Sequence, residues 1–322
     1  MDVEWRSIAD TDVSAWCSLL AAAERVDQTG ENANEADLVE ELADPALNRA
    51  RDTLSARVDG MMVGYGSVHA GDTADTEHRV HFNATVHPDW RGQGIGRHLL
   101  DWAVRRAHER HQEMFPDVPP AIESMALLSN AAQVELFEAV GMQPQRWFFG
   151  MAIRLTGEAH SGDIELPDGF TLQQYDHSQT EATRLAHNSA FADHWGSTEW
   201  TPQRWQQWVT DARSTRPDLS STVTLRDAPE QVVAYLISKE YEADFEATGV
   251  REAYVEKVGT RREHRGRGLA SALLGHSLAA YGQAGFDVAS LDVDADNPTG
   301  ALGIYQRQGF EVEHRWARYV LA

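Results

Sequence analysis

The sequence predicts an α/β fold built twice in tandem, and three observations carry that prediction. The chain has 322 residues, the length of two domains at about 100 to 200 residues each. A glycine-rich phrase occurs twice, Arg91-Gly-Gln-Gly-Ile-Gly96 and Arg265-Gly-Arg-Gly-Leu-Ala270, at a spacing of 174 residues, as an internal duplication would leave it. Around each copy the pattern is the same, a strand-like run before it and a helix-period run after it.

The elements follow in order. In the first half DVSAWCSLLAAAERV reads as a leading helix and GMMVGYGSVHA as a strand of a meander. RVHFNATV is the strand before the glycines, and HLLDWAVRRAHERH is the amphipathic helix they open. Then come the strand AIESMALL, Ser129-Asn130, the helical AAQVELFEAV and Gly141-Met142. The second half repeats this as SQTEATRLAHNSAFADHW, EQVVAYLISKEY, EAYVEKVGT, SALLGHSLAAYGQAG, VASLDVDA, Asp296-Asn297, PTGALGIYQRQ and Gly309-Phe310. Asparagine suits a helix N-cap and glycine a left-handed C-terminal cap, so these positions have structural reasons of their own. Each half is expected to run β, α, α, β, β, β, α, β, α, β, β. The connector LTGEAHSGDIELPDGF, rich in Gly, Ser and acid, is the natural linker. The expected division is 1–158, a linker at 159–168, and 169–322.

Charge and cysteine content narrow the function. With 28 Lys+Arg against 50 Asp+Glu, the formal charge is −22, which opposes unassisted binding of nucleic acid or anionic membranes. Only Lys239 and Lys257 are lysines, a bias toward arginine read as compositional. Cys17 stands alone, so no intrachain disulfide forms, and it reads as a helix residue beside Trp16. No run approaches the roughly 18 apolar residues of a membrane span, and the N-terminus lacks a signal-like pattern. A cytoplasmic protein is expected. The histidines are scattered without matching carboxylates or thiolates, so no metal site is expected.

Unpaired amides at a helix start carry partial positive charge, and glycines let a phosphate approach them closely. In an acidic chain, such a loop together with Arg91, Arg97, Arg265 or Arg267 is what could hold a polyanion. The spacing is not that of a dinucleotide loop, and no lysine follows the glycines as in a nucleoside triphosphate loop.

These phrases resemble the Q/R-x-x-G-x-G/A signature of the GNAT N-acetyltransferase superfamily, and Asn130…Phe137…Gly141-Met142 and Asn297…Tyr305…Gly309-Phe310 resemble its N…Y…G-F block. The resemblance spans the chain twice, as in two-domain proteins of mycothiol synthase type. It implies two domains, each a mixed, mostly antiparallel sheet flanked by helices, with coenzyme A lying between two splayed strands. It implies acetyl-coenzyme A as co-substrate and places it on Val258, Thr260, Arg265, Gly266, Arg267, Gly268, Leu269, Ala270 and Asn297 in the second half. In the first half the matching positions are Val86, Arg91, Gly92, Gln93, Gly94, Ile95 and Gly96.

The resemblance also separates the halves. Tyr305 stands where the family has a tyrosine that protonates the departing thiolate, whereas the first half has Phe137 there. Glu256 is the candidate base, with strand alternation expected to put it on the face of Tyr254 and Val258; the first half offers only His81 and Asn83. The second half is therefore read as catalytic and the first as a degenerate copy. In the segment after the leading helix, Asp193, His194 and Trp195 are the candidate acceptor contacts, since an aromatic wall with a carboxylate suits a cationic amine. Trp205 and Trp208, three apart, are read as core. The expected reaction is acetyl transfer to a primary amine of a small cationic acceptor, by direct attack in a ternary complex, from a monomer or homodimer. Acetylation of a cysteinyl amine and a non-catalytic acyl-coenzyme A sensor are the alternatives.

Overall fold

The structure, a computed structural model, describes residues 2–155, 166–297 and 300–321. In chain order the elements are β1 (Glu4–Arg6), α1 (Val13–Asp27), α2 (Glu35–Leu42), α3 (Arg49–Asp52), β2 (Thr53–Val58), β3 (Met61–Ala70), β4 (His78–Val86), α4 (Ile95–Met114), β5 (Pro120–Leu127), α5 (Ala131–Glu138) and β6 (Gln143–Arg154). There follow β7 (Phe170–Gln174), α6 (Thr180–Phe191), α7 (Pro202–Trp205), β8 (Ser221–Leu225), β9 (Ala228–Lys239), α8 (Glu242–Thr248), β10 (Glu252–Thr260), α9 (Leu269–Gln283), β11 (Val288–Asp294), α10 (Ala301–Arg307) and β12 (Glu311–Leu321). Two compact units result, Met1–Phe148 with His314–Ala322, and Phe149–Glu313. Residues 159–165 of the expected linker lie outside the described residues.

In the first unit the strand order is β1-β2-β3-β4-β5, followed by the 314–321 segment. Pairing is antiparallel except between β4 and β5, which are parallel. Helix α1 buries Val13, Trp16, Leu19 and Ala23, a helical stripe that packs with Met62 and Tyr65 of β3. Asn34 caps α2, accepting from the amides of Ala36 and Asp37. On the other sheet face Leu100, Ala103 and Ala107 of α4 pack with Val80, Phe82, Ile122 and Phe137.

The second unit repeats the plan. Strands run β11-β10-β9-β8-β7, parallel between β10 and β11 and antiparallel beyond. The two faces of β9 are distinct. Tyr235 and Ile237 point to the α6 side with Ala186 and Trp205, whereas Leu236 joins the core under α9 with Leu273, Leu278, Val255 and Tyr305.

Four details depart from the sequence expectation. Each half ends in one long strand rather than two, and the last strand is shared out: Trp316 to Leu321 pair with Leu127 to Ile122 of β5, with Ala317 and Tyr319 buried in the first unit's core. Sequence order alone cannot reveal such a strand exchange. Helix α8 was not expected, although Glu242 and Asp244 in its first turn and Gly249 at its left-handed C-cap are ordinary helix punctuation. Asn130 does cap α5 through the Gln133 amide, but Asn297 does not cap α10, whose N-cap is Gly300 at φ +72°. Trp205 is fully buried, whereas Trp208 is 45% exposed, because a π-helical turn, Gln206–Thr210, breaks the helical spacing between them.

Candidate active site

The site begins where a strand pair comes apart. The β10–β11 pairing runs from Glu252↔Val288 to Tyr254↔Ser290 and stops there, although the strands continue to Thr260 and Asp294. On its other edge β10 stays paired with β9 as far as Thr260↔Ala234. The stretch 255–260 therefore presents a row of main-chain groups toward a slot instead of a ladder. Val258 and Thr260 lie on this stretch. In the first unit the β4–β5 ladder likewise stops at His81↔Glu123, while β4 stays paired with β3 as far as Val86↔Gly64.

The glycine loop closes the end of each slot. Gly266 and Gly268 sit at φ +74° and +81°, and Gly92 and Gly94 at +72° and +88°, which only glycine adopts without strain. A Cβ built at any of the four meets nothing within 4 Å, so these glycines also leave open approach to the main chain. Gly268 and Gly94 cap α9 and α4 without a side-chain acceptor, and the first-turn amides keep their unpaired donors. Leu269 and Ile95 are buried, so their contribution to a ligand is the amide alone. Gly96 packs near Leu136 and Val86. The hydroxyl of Thr260, at the slot's end, is buried without a hydrogen-bond partner. This cradle fits a diphosphate such as that of coenzyme A, with the amides of Gly266 to Ala270, or of Gly92 to Gly96, as its donors.

Two arginines do something other than expected. The Arg91 guanidinium forms a two-point pair with Asp27 at 2.7 and 2.6 Å, and its Nε donates to the Val86 carbonyl at 3.1 Å. Arg265 repeats the arrangement: Nε lies 3.4 Å from the Thr260 carbonyl, and the terminal nitrogens reach the Ala190 carbonyl at 2.8 Å and Asp193 at 3.4 Å. In both units this arginine ties the loop to the end of the leading helix. Exposed Arg267 is left as the cation on the second loop, and Gln93 takes its place on the first. Asp193, expected to face the acceptor, is paired with Arg262 and Arg265. The His194 ring lies 3.4 Å from the Asn297 side chain. Trp195 is half-buried in the same segment. In the same region Trp200 carries cations on its ring, with Lys257 and Arg204 each 4.5 Å from its centre.

Glu256 owes its position to a β-bulge. The register shifts between Val255↔Ser238 and Lys257↔Ile237, so Glu256 is an extra residue on β10 with no partner on β9. Alternation breaks there. Glu256 shares the α6 face with Tyr254 as expected, but so does Lys257, and Val258 turns to the opposite core. Strand β4 of the first unit has no such bulge: Phe82↔Val68 is followed directly by Asn83↔Ser67. Glu256 therefore has no counterpart in the first unit. Its carboxylate lies 2.9 Å from the Lys257 amine and 3.8 Å from Lys239. Burial alone would raise its pKa, but the two lysines outweigh that and hold it at about 2.

Beside it, the buried His187 ring of α6 is hydrogen-bonded to the Tyr235 hydroxyl at 2.6 Å. The Tyr235 ring occupies the space over Gly259, where a Cβ would come within 2.6 Å of it. Burial, then Lys257 and Arg204, push His187 down to about 3. The folded ring stays neutral while the unfolded chain takes up a proton below about pH 6.5. Its stabilisation is full above that pH and is lost as pH falls toward 3. We expect the loss of unfolding free energy between pH 7 and pH 5 to shrink in His187→Asn, by on the order of 1 to 2 kcal/mol. Urea melts at both pH values check this, and equal losses in the two proteins would refute it.

Tyr305 lies on α10, on the α9 side of the sheet, 7% exposed and packed on Phe310 at 6.0 Å between ring centres. Burial raises its pKa, so the hydroxyl keeps its proton at neutral pH. In the first unit Phe137 fills the equivalent place against Phe82 and Tyr319. Glu256 and Tyr305 thus lie on opposite sides of the second unit's sheet.

Known proteins share this construction. The Acetyltransferase (GNAT) family matches residues 181–310, and the Acetyltransferase (GNAT) domain matches 49–143. A mycothiol acetyltransferase of Thermobispora bispora is 31% identical, over 72% of this chain and 71% of that protein. The chain belongs to the GNAT acetyltransferase family. A second mycothiol acetyltransferase, from Renibacterium salmoninarum, is 27% identical over 72% of this chain, which spans 63% of that relative's length. Among solved structures, a GCN5-related N-acetyltransferase from Sphaerobacter thermophilus superposes with a TM-score of 0.77 at 25% identity, covering 99% of this chain and 95% of its own. Both halves are thus GNAT domains, and the duplication read from the two loops is that of the fold.

Proposed function

We propose that the second GNAT domain transfers the acetyl group of acetyl-coenzyme A to the primary amine of a small molecule, by direct attack in a ternary complex. The observation that carries this reading is the open slot of β10 and β11, flanked by Glu256 on the α6 side and Tyr305 on the α9 side. The diphosphate rests on the amides of Gly266 to Ala270 with Arg267 beside them, and Asn297 lies at the neighbouring edge. A main-chain amide near Val258 polarises the thioester carbonyl. The amine attacks from the α6 face. Glu256 stabilises it as an ammonium and receives its departing proton through water. As the C–N bond forms and the C–S bond breaks, Tyr305 gives its proton to the thiolate. Asp193 and His194 brace the loop from the acceptor side, and Trp195 borders it. The acidic surface draws in an acceptor that carries positive charge.

The first domain keeps the slot and the cradle of Val86 and Arg91 to Gly96 but has Phe137 in place of the acid and nothing in place of Glu256. It holds coenzyme without turning it over. The relatives named mycothiol acetyltransferase favour a second reading for the acceptor, a cysteinyl amine. Release of free thiol from acetyl-coenzyme A in the presence of an amine panel tests the proposal. Amine-dependent release is expected; coenzyme binding without release for any amine would establish the sensor alternative instead.

A further inference from the structure

We infer that Tyr235 is a positioning residue of the transfer reaction: its ring, tethered to α6 through His187, presses on Gly259 and sets where the main chain of β10 meets the thioester. This rests on the acetyltransferase reading above and names what holds that site in place. The stretch 255–260 has a ladder on one edge only, to β9, and that ladder is interrupted by the bulge at Glu256. An amide aimed at a developing oxyanion has to be held within about 0.5 Å of its productive place, and misplacement by about 1 Å costs on the order of 100-fold in rate. Tyr235 supplies the missing restraint. It pairs with Gly259, and its ring lies over the glycine's main chain, where a Cβ would stand 2.6 Å from Cε1 and 2.9 Å from both Cζ and the hydroxyl oxygen. Gly259 has ordinary strand backbone, so it is the ring, not the conformation, that requires glycine there.

The ring has little freedom to give way. Tyr235 is fully buried, and its hydroxyl is hydrogen-bonded to His187 Nδ1 at 2.6 Å. The His187 ring is boxed by Phe191, Trp200 and Trp205, at 4.6, 5.1 and 5.3 Å between ring centres. Trp200 is in turn held to α6 by Asn188, which accepts from its amide at 2.9 Å and donates to its carbonyl at 3.1 Å. One continuous set of contacts thus runs from α6 through Tyr235 to the main chain of the slot. The first unit is built otherwise. Tyr65 holds the same register place but faces Thr85, whose side chain keeps a ring off the strand, and it leans on Trp16 at 5.0 Å. The ring-on-glycine contact belongs to the unit that has Glu256 and Tyr305.

Thiol release by the full chain, from acetyl-coenzyme A and the fastest amine of the panel, tests the inference. Gly259→Ala should lower kcat about tenfold or more and leave KM for acetyl-coenzyme A within about threefold, because the loop amides and Arg267 are untouched. Tyr235→Leu, which takes the ring away, should lose kcat to a similar extent, whereas Tyr235→Phe, which leaves a ring on the glycine, should lose less. Combining Gly259→Ala with Tyr235→Leu puts a methyl where the ring was, and kcat should then exceed that of either single variant. Glu256 and Tyr305 remain in every variant, so the midpoints of the pH profile of kcat should not move. Should thermal melts show Gly259→Ala unfolded, the comparison of Tyr235→Leu with Tyr235→Phe decides. An unchanged kcat in Gly259→Ala or Tyr235→Leu, a double variant no faster than the single ones, KM rising in step with the loss of kcat, or shifted pH midpoints would overturn the inference and leave the acetyltransferase reading standing. Release with none of the amines, with coenzyme still bound, would overturn both.

Discussion

Gly268→Val should lower amine-dependent thiol release by about 100-fold or more, since it takes away two or more charge-assisted amide contacts worth about 1.5 to 3 kcal/mol each. Gly268 stands at φ +81° and a Cβ built there meets nothing within 4 Å. The substitution forces a β-branched residue into the left-handed region, at about 1 to 2 kcal/mol, and it fills the approach to the first amides of α9. The protein should stay folded, with a slightly lower melting temperature, while coenzyme affinity and transfer both collapse. Thermal melts, isothermal binding of coenzyme A and the thiol assay separate these effects. Retained coenzyme affinity would show that the cradle lies elsewhere.

Tyr305→Phe is the second large effect, and it should split differently. Loss of a general acid costs roughly 100-fold or more in turnover. The ring, packed on Phe310 within the α9 core, contributes its volume either way, so coenzyme affinity should change by less than about threefold. Removing the hydroxyl reproduces in the second domain what Phe137 already is in the first. A rate equal to that of the unmodified protein would take Tyr305 out of the mechanism.

Much of this was legible in the residues. The two glycine loops, the strands before them and the helices after them fall where the pattern puts them, because a tight left-handed turn leading into a helix leaves glycine few substitutes. Tyr305 and Phe137 could be told apart for the same reason, from their fixed spacing to Gly309 and Gly141. The bulge is hidden in the sequence, since strict alternation assigns Glu256 and Val258 to one face. Yet a trace of it exists: the offset between the halves is 174 at Arg91 and Arg265 and 173 at His81 and Tyr254, which share the last rung of their parallel ladders. One residue has been inserted between them. Partners across the sequence were harder still. Asp193 reads as an acceptor contact until Arg265 and Arg262 are found on it, and two isolated lysines read as codon bias until both meet the same carboxylate. The exchange of the final strand segment leaves no local mark at all.

The division of labour between two copies of one fold is the central claim, and the same substitution made in each copy tests it most directly. The kcat/KM for acetyl-coenzyme A of Gly94→Val, measured beside that of Gly268→Val at saturating amine, should remain within about threefold of the unmodified protein, against about 100-fold for its counterpart. Equal loss from both substitutions, or a greater loss from Gly94→Val, would contradict the assignment of catalysis to the second domain.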